Sequence, residues 1–115
     1  MQRGEIRVVA LDPVVGSEAN KQRPAIIVSN DGANTTAARL GRGVLTVVPL
    51  TTNTNRVHTF QVLLEATDTG LTEDCKAQAE QVRSVAVQRI GRRVGSVSAT
   101  AMADVDEALR VHLAL

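Results

Sequence analysis

Apolar residues fall in short runs through most of this chain and change to a spacing of three and four only near its end. Residues 5 to 11 (Glu5-Ile6-Arg7-Val8-Val9-Ala10-Leu11) read as a strand stopped by the turn signal Asp12-Pro13. About a dozen residues of loop then lead to Arg23, more than a hairpin connection uses. Residues 24 to 29 carry a continuous apolar run, which predicts a strand buried on both faces. Residues 30 to 43, rich in Asn, Thr and Gly, read as a connection with at most one short helical turn. A third strand over 44 to 50 runs into Thr51-Thr52-Asn53-Thr54-Asn55, and Pro49 late in it suits an edge, a bulge or the strand end.

Residues 60 to 65 and 79 to 85 read as further strands, separated by a turn-rich segment containing Thr69-Gly70. Residues 89 to 97 supply a last short strand punctuated by Gly91 and Gly95. From Ser98 the period changes: Ala101, Met102, Val105, Ala108, Leu109, His112 and Leu113 form one stripe of a helix. Ser98 suits its N-cap, and Asp104, Asp106 and Glu107 lie in its first half, where the helix dipole favours negative charge. The expected fold is mainly β, within the α+β class, with about six strands and a C-terminal helix. Pairing is expected to be antiparallel, because parallel crossovers would need helices between the strands. Residues 1 to 115 contain no repeat and read as a single domain of ordinary size.

Composition narrows the chemistry. Phe60 is the only aromatic residue, so the core must be aliphatic and bases cannot be gripped on an aromatic platform. The net charge of +1 argues against a wholly basic nucleic-acid protein, but residues 1 to 99 sum to +3 and residues 100 to 115 to −2, so an anion-binding surface would be local. Arg outnumbers Lys by 11 to 2, which suits planar recognition of phosphate and is equally what GC-rich coding produces. The single cysteine, Cys75, leaves no internal disulfide and no zinc cluster. An apolar leader and a run long enough to span a bilayer are both missing from this sequence, so residence in the cytoplasm, away from membranes, is expected.

Histidine offers little: His58 lies in a polar turn, His112 falls on the helix stripe, and neither has an evident partner. Carboxylate spacing suggests no metal site. Three polar features at strand ends could converge, namely Arg23, Thr51 and the cluster Glu80-Gln81-Arg83. Pro24 biases Arg23 toward an extended conformation, which fixes where its side chain departs. Each feature also has a plain structural explanation: a surface ion pair for Arg23, a turn former in Thr51, an exposed strand residue in Gln81.

The order and spacing of several motifs go further. Arg3-Gly4-Glu5-Ile6, Asp12-Pro13-Val14-Val15-Gly16-Ser17-Glu18, Gln22-Arg23-Pro24-Ala25-Ile26-Ile27-Val28-Ser29-Asn30-Asp31, Val48-Pro49-Leu50-Thr51, Glu80-Gln81-Val82-Arg83-Ser84 and Val105-Asp106-Glu107-Ala108-Leu109 together resemble the MazF/PemK family of toxin endoribonucleases over nearly the whole chain. The resemblance implies an SH3-like β-barrel with a C-terminal helix, a homodimer, and a type II toxin-antitoxin toxin. The activity it implies is sequence-specific cleavage of single-stranded RNA without metal or cofactor, on messenger RNA and potentially on transfer or ribosomal RNA. It puts the catalytic pair on Arg23 and Thr51. It extends RNA contact to Ser17, Glu18 and Lys21 in the first loop, and to Asn30, Thr52, Glu80 and Gln81. A cognate antitoxin segment is the implied protein partner. Arg7 departs from the family, standing where many relatives carry an aromatic residue, and Asn20-Lys21-Gln22 replaces a glycine-containing loop.

The implied chemistry is attack of the 2′-hydroxyl on the adjacent phosphate, leaving 2′,3′-cyclic phosphate and 5′-hydroxyl ends. Arg23 would meet the growing charge on the phosphate oxygens and Thr51 would orient the attack, with solvent, Glu18 or Glu80 taking the proton. Two alternatives stand beside it: a catalytically silent barrel that binds RNA or peptide, and a gyrase poison of the same fold. The second is disfavoured because that family's C-terminus carries a tryptophan and this chain has none.

Overall fold

The computed structural model describes residues 1–11 and 22–115. Among these lie seven strands, β1 (Glu5–Ala10), β2 (Gln22–Ile27), β3 (Val44–Thr51), β4 (Gln61–Leu64), β5 (Cys75–Gln78), β6 (Arg83–Ala86) and β7 (Ile90–Ser96). Three α-helices accompany them, α1 (Asp31–Leu40), α2 (Ala66–Thr69) and α3 (Ala99–Leu113). All strand pairings are antiparallel and run in the order β4-β5-β3-β2-β1-β7, with β6 branching from β3. The sheet is barrel-like but not closed.

The apolar run of β2 is buried on both faces, as its sequence requires. Ala25 and Ile27 pack with Leu45, Val47 and Val85 on one side, while Ile26 packs with Val48, Leu50 and Val105 on the other. Helix α3 covers the second face with Met102, Val105 and Ala108. Ser98 caps that helix by accepting from the Ala101 N–H at 3.2 Å. The apolar stripe ends sooner than its periodicity predicts, since His112 and Leu113 are exposed.

Three expectations need correction. Residues 31–40 form a full helix rather than a polar connection, because its inward face uses Asn34 where a pattern reading looks for an aliphatic residue. Asn34 is fully buried yet satisfied: its amide donates to the Ser29 carbonyl at 2.9 Å, and the Ser29 hydroxyl donates to its Oδ1. The predicted strand over 79–85 opens with a 3₁₀ turn at Ala79–Gln81 and is a strand only in its second half, β6, while β5 at Cys75–Gln78 lies in the segment read as turns and raises the count from six to seven. The turn-rich segment holds the short helix α2, closed by Gly70 in a left-handed conformation.

Pro49 sits where β3 changes partner. On one side β3 pairs with β6 through Val44–Val47 and with β5 only from Leu50, so the residue lacking an N–H falls in the gap between them.

Candidate active site

The site arises from a ladder that stops early. β2 and β3 pair at Ile27↔Val47, Ile26↔Val48 and Ala25↔Pro49 and then part. The next opposed residues in that register would be Pro24 with Leu50, then Arg23 with Thr51. Pro24 can give no N–H to a neighbouring strand, and from Leu50 onward β3 stays paired only along its other edge, to β5 through Leu50↔Ala77 and Thr51↔Lys76. β2 meanwhile continues against β1 as Val8↔Pro24 and Val9↔Arg23. The opening between the parted strands is a cleft of about 690 Å³ that Arg23, Pro24, Leu50, Thr51 and Thr52 all line.

Thr51 is held by the turn on its C-terminal side. Its Oγ1 accepts the Asn53 N–H at 3.2 Å, so the hydroxyl proton is left to point elsewhere. The loop from Thr52 to Phe60 is tied back by the Lys76 ammonium, which donates to the Arg56 carbonyl. Farther along, the His58 ring stacks on Phe60 with centroids 5.1 Å apart. Gln61 accepts from the His58 N–H at 3.1 Å and donates to Glu80 Oε2 at 2.7 Å.

The opposite wall is the segment after α2, contributing Gly70, Leu71, Thr72 and Glu73, with β7 supplying Arg92 and Val94. It sits close on β7 because Gly95 has no side chain: a Cβ there would stand 2.5 Å from the Thr69 carbonyl oxygen. Cys75 also lines the cleft but is almost wholly buried. Burial first, and the Asp74 carboxylate second, push its thiol up to about 11, so it stays protonated and poorly nucleophilic. Two guanidinium groups and one carboxylate, Glu73, thus line an otherwise neutral cleft among the described residues. Among those residues no three His, Cys, Asp or Glu side chains gather as metal ligands would.

Residues 2–113 match the family described as PemK-like, MazF-like toxin of type II toxin-antitoxin system. The chain belongs to this toxin family. It is 64% identical to Endoribonuclease MazF9 of Mycobacterium tuberculosis (strain ATCC 25618 / H37Rv), covering 100% of this chain and 98% of that protein. It is 29% identical to Endoribonuclease EndoA of Bacillus subtilis (strain 168), covering 100% of this chain and 96% of that one. The fold is shared with a solved endoribonuclease in complex with its cognate antitoxin from a mycobacterial species, at a TM-score of 0.77 and 24% identity, covering 100% of this chain and 96% of that chain.

In this PemK/MazF toxin, Arg23, Thr51 and Thr52 share the cleft. Gln81 lines a smaller hollow of about 270 Å³ with Arg83 and Gln78, which meets the cleft at Arg23. Asn30 and Glu80 are elsewhere engaged. Asn30 is the N-cap of α1, its side chain accepting from the Ala33 N–H at 2.8 Å, and Glu80 is turned to Gln61. Ser17, Glu18 and Lys21 lie outside the described residues. Glu73 and Arg92 are cleft residues that the motifs did not single out. Only the apolar neighbours Leu71 and Val94 mark their segments in the sequence, and nothing there says which strand partners bring them in.

Proposed function

We propose that this toxin is an endoribonuclease that cuts single-stranded RNA in the cleft between Arg23 and Thr51, with residues 1 to 115 acting as one toxin domain. The observation that carries the reading is the opposition of a guanidinium and a threonine hydroxyl across a gap where two strands part. The endoribonuclease activity for which MazF9 and EndoA are named supports it. The 2′-hydroxyl gives up its proton and attacks the adjacent phosphorus, the bond to the 5′ oxygen breaks, that oxygen takes a proton from solvent, and the products carry a 2′,3′-cyclic phosphate and a 5′-hydroxyl.

Arg23 places two N–H donors on the non-bridging oxygens as their charge grows. Thr51, whose oxygen already accepts from Asn53, acts as a donor to a phosphate oxygen and not as a base. Glu80 is turned to Gln61, which leaves Glu73 as the cleft carboxylate among the described residues to take the 2′-hydroxyl proton. No step requires a metal ion. The natural setting of the reading is a cytoplasmic homodimer silenced by an antitoxin whose segment occupies the same cleft. None of the helices in the described residues is long and apolar enough to cross a membrane.

The test incubates purified chain with mixed-sequence RNA and EDTA, alongside Arg23→Ala and Thr51→Ala. Wild type should cut despite the chelator and leave cyclic-phosphate ends. Arg23→Ala should be slower by about a hundredfold to a thousandfold. Equal cutting by all three proteins would sink the assignment, and a pH profile unchanged in Glu73→Gln would remove Glu73 as the base.

A further inference from the structure

β7 is bulged where it passes the cleft. Arg7 and Val9 of β1 stand opposite Arg93 and Ile90, so two steps on β1 face three on β7, and the extra residue falls at Gly91-Arg92. Such a bulge bends its strand and re-aims a side chain, commonly beside a site. Here the bend brings Gly91 against β1: a Cβ on it would lie 3.0 Å from the Val8 carbonyl oxygen. The next residue, Arg92, lines the cleft with Val8.

The bulge is also braced. Arg7 Nη1 donates to the Gly91 carbonyl at 3.0 Å, giving a partner to a group that the disturbed ladder leaves over. Arg7 is itself gripped by Glu5, whose Oε1 accepts from Nε at 2.9 Å and forms an ion pair with Nη2 at 2.9 Å, while Glu5 Oε2 accepts the Gln2 N–H at 2.9 Å. A half-buried guanidinium is thus committed to one backbone carbonyl, and the neighbouring exposed guanidinium of Arg92 is presented to the cleft.

We propose that Arg92 binds an RNA phosphate next to the one that is cut, and that Arg7 is a positioning residue that holds the Gly91 bulge and so aims Arg92. The assignment rests on the endoribonuclease reading above. β1 separates β2 from β7, so Arg23 and Arg92 leave backbones about 10 Å apart and approach the cleft from different strands. One is placed opposite Thr51 and the other beside the wall of Leu71 to Glu73. A single-stranded polyanion laid along the cleft meets both in turn, and the phosphate at Arg92 is held without being cleaved.

The experiment measures binding of a fluorescein-labelled, mixed-sequence 2′-deoxy oligonucleotide, which lacks the attacking hydroxyl, by anisotropy over a salt series. Arg92→Ala should weaken binding about tenfold at low salt. It should also lower the slope of log affinity against log salt by about 0.7, the value for one phosphate contact. Arg92→Lys should restore the slope, and Arg7→Met should lose part of the affinity alone but nothing further when added to Arg92→Ala. Because Arg92 is exposed, its variants should melt with wild type. A wild-type slope in Arg92→Ala, in a protein that does cleave RNA, overturns the assignment while leaving the cleavage reading intact. Additive losses for Arg7 and Arg92 overturn the positioning role. Wild type that neither binds nor cleaves overturns both readings.

Discussion

Arg23 and Thr51 share a rung of a ladder that has already ended. Continued by two residues past Ala25↔Pro49, the β2–β3 register sets them opposite one another, yet Leu50 and Thr51 pair only along their other edge, with β5, and the space toward β2 stays open. The cleft needs both a rigid frame on each side and the absence of pairing between them. Substitutions that keep the backbone should therefore separate chemistry from fold. Arg23→Lys keeps the charge but not the planar fork and should lose on the order of tenfold in cleavage rate. Thr51→Ser should cut nearly as wild type, and Thr51→Val should be strongly impaired, because it also removes the acceptor of the Asn53 N–H. Single-turnover rates beside melting curves check this. A Thr51→Val enzyme as fast as wild type would exclude the hydroxyl.

The far wall of the cleft depends on a missing side chain. With a Cβ at Gly95 only 2.5 Å from the Thr69 carbonyl, Gly95→Ala must push the segment after α2 away from β7. The expected cost is about 1–3 kcal/mol, seen as a lowering of Tm by several degrees. Cleavage should fall beyond what the lost stability explains, since Leu71 to Glu73 move with the wall. An alanine variant with unchanged Tm would show that the wall is not seated there.

These two features differ in how far the sequence announces them. The strands at 5–11, 24–29 and 44–50 are legible because aliphatic runs between turn residues have few other uses, and the Arg23-Pro24 step marks its own strand entrance. Helix α1 is not legible. Its inward contact is an Asn34 whose hydrogen bonds to Ser29 exist only after folding, so its pattern looks like a polar loop. Gly91 and Gly95 read as punctuation, although both lie within β7 and serve close approach of another backbone. Arg92 is illegible for the same reason: a bulge is a mismatch between two strands, and neither strand records it alone.

The Glu5–Arg7 pair gives the fold an acid-sensitive joint. Burial raises the Glu5 carboxyl, but the hydrogen bonds and charge of Arg7, the Gln2 N–H and the N-terminal charge outweigh it, and the group titrates below its ordinary value. A carboxyl lowered on folding contributes stability that is complete above the ordinary carboxylate range and is lost as pH falls through the folded value. Wild type should therefore lose stability on acidification more steeply than Glu5→Gln. Arg7→Met should flatten the same limb, because it removes two of the lowering causes. Denaturant midpoints across the acid range test this, and parallel curves for wild type and Glu5→Gln would contradict it.

Cys75 lines the cleft without being available to it. It is 2% exposed, pairs through its backbone with Leu64 on β4, and packs in the cluster containing Leu50 and Leu64. With the thiol pushed up to about 11, the thiolate that alkylating reagents need is scarce at neutral pH, and burial keeps the reagents away as well. Iodoacetamide at mildly alkaline pH should therefore modify Cys75 only as fast as the chain unfolds, with cleavage activity lost in step. Asp74→Asn should lower the thiol only slightly, since burial is the larger cause, and should leave labelling slow. That variant also alters the partner of the Ala66 N–H, which Asp74 Oδ1 accepts at 2.8 Å, so its melting curve must be read first. Rapid labelling of fully folded protein would mean that the cleft reaches the thiol and that Cys75 is open to chemistry after all.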